Sequence, residues 1–149
     1  MTSRAEQHTA RALRRLLAAN PGPGEYPHSP ALQELLDGLE YLLPELLADC
    51  HDWPPYLALD GVLCPQYRVL DPWRIRLRGR AILLGGPHDQ RVAPVQVQLR
   101  LAAQVDALAG FVVKLGERDR DGRLRSDPLH TPAPDPSAVD WAFQAVRRP

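Results

Sequence analysis

From Arg74 to Arg80 an arginine stands at every second position, with Ile75, Leu77 and Gly79 between them. Only a strand sends successive side chains to opposite faces, so a period of two predicts a strand running to about Leu84. Ile75, Leu77 and Ala81 share one face, and Arg74, Arg76, Arg78 and Arg80 share the other. Such a strand needs a sheet that is buried on one side only. The rest of the chain has to supply its neighbours and its cover.

The neighbours follow directly. Gly85-Gly86-Pro87-His88-Asp89 reads as a turn. The next strand turns Val95, Val97, Leu99 and Leu101 inward and Gln96, Gln98 and Arg100 outward. A turn near Gln104–Asp106 leads to a third strand, with Phe111, Val113 and Leu115 inward and Val112 and Lys114 outward. Short connections make this an antiparallel meander.

The cover is expected from helices. Ser3 and Glu6 have the spacing of a capping box before a helix that reaches about Ala19. Leu13, Leu16 and Leu17 mark its apolar side, and Arg4, His8, Arg11 and Arg15 form a basic stripe. Asn20 to Gly24 ends it, and a proline-rich loop continues to Pro27. Ser29 caps a second helix with Pro30 at its first position. There Leu32, Leu35, Leu36, Leu39, Leu43, Leu46 and Leu47 keep a 3.6-residue period, the strongest core signal in the chain. Pro44 is expected to kink or split this helix. Residues 50–73 read as mixed, with a short hairpin admitted where Tyr56–Leu59 and Val62–Cys64 flank Asp60-Gly61. Asp135 or Ser137 caps an expected last helix over about 136–148, lined by Val139, Ala142, Phe143 and Val146.

The expected fold is therefore α+β. An N-terminal helical pair, a three-stranded antiparallel meander with room for an extra short hairpin, and a C-terminal helix make one domain over residues 1–149. Helices on one face of the sheet would leave the arginine face open. A chain of 149 residues can bury roughly 70% of its unfolded surface and needs no staples. Two cysteines, Cys50 and Cys64, fit a reducing compartment, so a cytoplasmic location is expected, and a bridge between them stays open. No apolar run approaches the ~18 residues of a membrane span, and residues 1–20 read as an ordinary helix rather than a targeting segment.

The net charge of zero hides segregation. Residues 1–15 carry Arg4, Arg11, Arg14 and Arg15 against Glu6. Residues 16–67 carry eight acids (Glu25, Glu34, Asp37, Glu40, Glu45, Asp49, Asp52 and Asp60) and no Lys or Arg. Residues 68–100 carry seven arginines against Asp71 and Asp89. Arguments about partners must use these segments rather than the total.

Motifs that carry chemistry are weak. Glu117 to Gly122 resembles the start of a calcium loop, but the position that needs a bidentate carboxylate is Pro128. Asp49-Cys50-His51-Asp52 gathers nucleophile and base types, yet neighbours in sequence are not thereby placed for catalysis, and zinc would need further ligands. Trp53-Pro54-Pro55-Tyr56 is more simply the cover of a core end than a docking motif. No metal, cofactor or small-molecule site is inferred, and an enzyme working through Cys50 and His51 is the third reading.

The better lead is the arginine face, formed by Arg74, Arg76, Arg78, Arg80, Gln96, Gln98 and Arg100. Same-face neighbours on a strand lie ~6.7 Å apart and repel by ~0.6 kcal/mol in water before screening. The adjacent strand offers no acid to offset this. The offset is expected from an acidic protein partner, from a second copy of the chain, or from the chain's own acids in residues 16–67. Nucleic-acid phosphates are the alternative, disfavoured because the face presents no aromatic for bases to stack on. The plainest explanation is an edge strand kept from aggregating by its charge. The sequence thus points to a non-enzymatic interaction module that works through a basic sheet face.

Overall fold

The computed structural model describes residues 2–46, 56–58, 66–85, 89–121, 124–125, 127–128 and 141–147. Its elements in chain order are α1 (Arg4–Ala19), β1 (Gly24–Pro27), α2 (Pro30–Leu46), β2 (Tyr56–Ala58), β3 (Gln66–Asp71), β4 (Arg74–Leu84), β5 (Arg91–Leu101), β6 (Leu108–Arg118), β7 (Leu124–Arg125), β8 (Asp127–Pro128) and β9 (Trp141–Arg147).

Both helices begin where their caps dictate. The Ser3 hydroxyl accepts from the Glu6 amide at 3.1 Å, and the Ser29 hydroxyl accepts from the Leu32 amide at 3.2 Å. Each cap satisfies an amide that the first turn leaves without a partner. α2 runs through Pro44, which sits in its last turn and so disturbs little of the helix. Leu32, Leu35, Leu36, Leu39, Leu42 and Leu43 are fully buried, and they join Leu13 and Leu16 of α1 in one core with the sheet. Gly38 lets the helices approach closely, because a Cβ there would stand 3.0 Å from both His8 and Thr9 side-chain atoms.

All strand pairings are antiparallel. The main path runs β1-β3-β4-β5-β6-β7, while β2 pairs β4, β8 pairs β5 and β9 pairs β6. β4 is long enough to be shared. Its first half pairs β3 and its last residues, Ile82–Leu84, pair β2. The buried face carries Tyr67 and Val69 of β3, Ile75, Leu77, Ala81 and Leu83 of β4, Val95, Val97 and Leu99 of β5, and Val113 and Leu115 of β6. The helices pack on this face.

The expected architecture is corrected at several points. The sheet is not a three-stranded meander but a larger antiparallel sheet, and no C-terminal helix is found among the described residues. The segment expected to be helical is strand β9 over its described part, Trp141–Arg147. Phe143 and Val146 suit helical spacing, but Trp141, Phe143, Ala145 and Arg147 also alternate. A helix of about thirteen residues is marginal in isolation, whereas the open edge of β6 offers a full ladder of backbone partners. The proline-rich stretch after α1 holds β1, which pairs the edge of β3. The mixed region contains β3, whose exposed–buried alternation begins with Gln66, Tyr67, Arg68 and Val69. β2 pairs with β4 rather than with a local partner strand, and the other half of the expected hairpin, Val62–Cys64, lies outside the described residues. The capping residues Asp135 and Ser137 also lie outside them.

One polar node joins α1 to the sheet. The Glu6 side chain is only 7% exposed. Its Oε2 accepts from the Leu108 amide at 3.1 Å, and its Oε1 accepts from Arg147 Nη1 at 2.9 Å. The Arg147 guanidinium lies over the Phe111 ring, 5.0 Å from its centroid. Glu6 thus fulfils the backbone half of the capping box, and its carboxylate serves the β6–β9 pair instead of returning to the cap. At the other end of α1, the Asn20 amide donates to the Tyr67 hydroxyl at 2.6 Å, and Tyr67 stacks on Tyr26 with centroids 5.6 Å apart.

Replacing Glu6 with Ala is expected to cost about 2–3 kcal/mol in urea unfolding, because it strands the buried Leu108 amide and leaves Arg147 unpaired. Glu6→Gln, which keeps an acceptor, is expected to lose less. A loss below about 0.5 kcal/mol, the range of a neutral surface change, would show that the node does not hold α1 to the sheet.

Candidate functional site

The face of the sheet turned away from the helices is built by register. One cross-strand row runs Glu25, Arg68, Arg76, Gln98, Val112, Val146. The next holds Arg78, Gln96, Lys114 and Gln144. A third sets Arg74 opposite Arg100, and Arg100 opposite Gly110. Arg80 lies opposite Pro94. All seven residues singled out from the sequence therefore lie on one face, and six of them are direct cross-strand neighbours in three pairs, Arg74–Arg100, Arg76–Gln98 and Arg78–Gln96.

The register also places like charges against each other. Arg68 faces Arg76, and Arg74 faces Arg100. Directly opposed like charges destabilise a sheet. Two acids offset them in part. Glu25 accepts from Arg68 Nη2 at 2.9 Å, and Asp71 Oδ2 accepts from Arg74 Nε at 2.7 Å. Asp71 Oδ1 also accepts from the Trp73 amide at 2.8 Å. Burial alone would raise the Asp71 carboxyl, but these backbone and guanidinium donors outweigh it and hold it below the usual carboxylate range. Its contribution to stability is complete above the ordinary carboxylate pKa of about 4 and is lost as pH falls through the lowered value.

Arg76, Arg78, Arg100 and Lys114 make no hydrogen bond or ion pair with a described residue. Arg80, by contrast, is engaged within the chain. Partial burial, then Arg78 and Arg68, push the Arg76 guanidinium below its ordinary value, and Glu25 opposes them. Arg76 remains a cation, in a locally positive field. A shallow groove of about 170 Å³ lies here, lined by Glu25, Gln66, Tyr67, Arg68, Arg76 and Arg78.

The chain's own acidic segment does little to this face among the described residues. Glu34 pairs with Arg15, Asp37 accepts from Gln33, and Glu45 accepts from Ser3, all in the helical layer. Two arginines of α1, Arg11 and Arg14, share Asp106 there, each at 3.6 Å. Of the acids in residues 16–67, Glu25 reaches these arginines, and Asp49, Asp52 and Asp60 lie outside the described residues. Edge protection does not explain the row either, because β4 is flanked by β3 and β2 on one side and by β5 on the other.

Sequence reasoning missed Arg68, Glu25 and Asp71 as parts of the site. The Gln66–Val69 alternation was the available signal for Arg68. Cys50, His51, Cys64 and the segment Trp53-Pro54-Pro55 lie outside the described residues. Among the described residues, no cluster of three or more His, Cys, Asp or Glu is placed to hold a metal, and no helix is long and apolar enough to cross a membrane. No known family, no characterised protein and no solved structure matches this chain.

If the row is held against its own repulsion, Arg78→Gln should stabilise the fold by about 0.5 kcal/mol in urea unfolding at low salt, and the gain should fade towards zero at ~0.5 M salt. A loss of stability at both salt concentrations would mean that the guanidinium supports the fold instead.

Proposed function

We propose that this domain is a non-enzymatic interaction module that binds an acidic protein segment on the outer face of its sheet. One observation carries the reading. A central strand, β4, keeps arginines directly opposite other arginines, Arg68 against Arg76 and Arg74 against Arg100. Relieving either clash needs only one substitution to Gln or Glu. Retaining both is explained when a partner supplies the missing carboxylates, which would speed association and set register. Arginine suits this role, since its planar fork can engage a carboxylate with two parallel bonds.

Nucleic acid would meet the same charge. The strand residues described on this face include no aromatic on which a base could stack, and the exposed Trp73 in the β3–β4 turn beside it is a single ring rather than a stacking platform, which weighs for a protein partner. The domain also carries no net positive charge, unlike a typical phosphate-binding domain.

The double variant Arg76→Glu, Arg78→Glu tests the reading. A fluorescein-labelled peptide of alternating Glu and Ser should bind the parent domain and lose ~10-fold or more in affinity to the variant, while far-UV circular dichroism stays unchanged. A single-stranded DNA of equal charge should bind more weakly than the peptide. Equal peptide binding by parent and variant, or a clear preference for DNA, would overturn the proposal.

A further inference from the structure

The outer face is not uniformly cationic. Its apolar residues gather around Arg100. In the third row, Gly110 lies directly beside Arg100 and presents no side chain to the face. The gap is the floor of a depression of about 130 Å³, walled by Arg74, Gln98, Arg100, Val112 and Val146. Val146 is 47% exposed, unusual for a large aliphatic side chain on a strand. On the other side of Arg100 lies a second depression of about 310 Å³, lined by Trp73, Leu101, Ala102, Ala103 and Ala109. Trp73 is 41% exposed. Arg100 lines both depressions. Only four large hydrophobic residues are strongly exposed among the described residues, and two of them, Trp73 and Val146, stand on either side of this arginine.

The cation between these walls is free to bind. Arg100 makes no hydrogen bond or ion pair with a described residue. Arg74, directly opposite, is steadied through its Nε by Asp71, which leaves its two Nη groups for a ligand. A guanidinium between two apolar hollows suits a carboxylate that carries an apolar group on each side. The smaller hollow is close to the ~150 Å³ that holds a benzene-sized group, which is right for one aliphatic side chain. The larger one, beside an indole, has room for an aromatic side chain.

We propose that this corner is the anchor of the docking surface, and that the partner is an extended protein segment with an acidic residue between two apolar ones. This rests on the basic-face reading and adds specificity to it. In an extended segment, residues at alternate positions share a face, so the three anchors would be spaced apolar-x-acid-x-apolar. The apolar side chains fill the hollows beside Val146 and Trp73, and the carboxylate meets Arg100. Arg76 and Arg78 contribute longer-range attraction.

The test uses a fluorescein-labelled peptide with Leu-Ser-Glu-Ser-Phe in a Gly/Ser chain, read by anisotropy. Two control peptides replace Glu with Gln, or Leu and Phe with Ser. The parent domain should bind the full peptide ~10-fold or more tightly than either control. Arg100→Ala should abolish the preference for Glu over Gln. Gly110→Val leaves charge unchanged and should lose the preference for the apolar residues. Gly110 has no positive φ, so the backbone accepts valine. Arg100 is exposed, so Arg100→Ala keeps the test open even if Gly110→Val fails to fold.

If the serine control binds as well as the full peptide, and binding still depends on Arg76 and Arg78, the anchor proposal fails and the basic-face reading stands. If no acidic peptide binds at all, both fail. Two outcomes would assign the corner to another occupant and so overturn the proposal. One is self-association in sedimentation that Arg100→Ala abolishes. The other is DNA binding, tighter than peptide binding, with the same dependence on Arg100.

Discussion

The two described helices pack on one face of the sheet, and the rest of the described structure answers to that constraint. Leucines from α1 and α2 and the inner residues of β3 to β6 form a single cluster. Burying one leucine is worth about 1.5–3 kcal/mol. A slip of one residue in β4 would move Ile75, Leu77, Ala81 and Leu83 out of that cluster and bring arginines into it. No such slip is affordable, so the arginines are held on the outer face whatever their mutual repulsion. The core therefore does two things at once. It stabilises the fold, and it fixes which side chains face solvent as a patterned surface.

The repulsion on that surface is small beside the core that imposes it. At ~0.6 kcal/mol per neighbouring pair before screening, even several such contacts amount to about one buried leucine. The fold tolerates the row without a partner, which is why a charged face can persist on a stable domain. The helical layer shows the contrasting solution. There Arg15 meets Glu34, and Arg11 and Arg14 meet Asp106, so charges segregated in the sequence come together in space. Arg11, Arg14 and Arg15 thus have acidic partners in one layer, while Arg76, Arg78, Arg100 and Lys114 make no ion pair with a described residue in the other.

Some of this was legible in the sequence because the signals were local. The period of two in β4, the alternation in β5 and β6, and the serine caps of α1 and α2 all lie within a few residues, and each element forms where they place it. What escaped depended on partners far away in the chain. β1 has four residues and no pattern of its own, and it is a strand because β3 offers it an edge. β9 was read as a helix because Phe143 and Val146 fit that period. It is a strand because β6 needs a neighbour and Glu6, 141 residues away, needs Arg147. The candidate site divides in the same way. Its arginines could be listed from the sequence, but the Arg68–Arg76 and Arg74–Arg100 oppositions are properties of register, which only the folded sheet defines.

The row Glu25, Arg68, Arg76, Gln98, Val112, Val146 changes character across the sheet, from an ion pair through a free cation and an amide to two valines. A uniform polyanion would gain from the first part of that row and nothing from the last. Edge protection does not account for the row, because β4 is not an edge among the described residues. The edges are managed by other means: β1 is short and ends in Pro27, and β9 turns the charged Arg147 inward. On the proposed reading, the ligand is itself graded, with carboxylates at one end and apolar groups at the other. Charge at the arginine end would govern how fast such a ligand arrives, and the apolar hollows beside Arg100 would govern how long it stays.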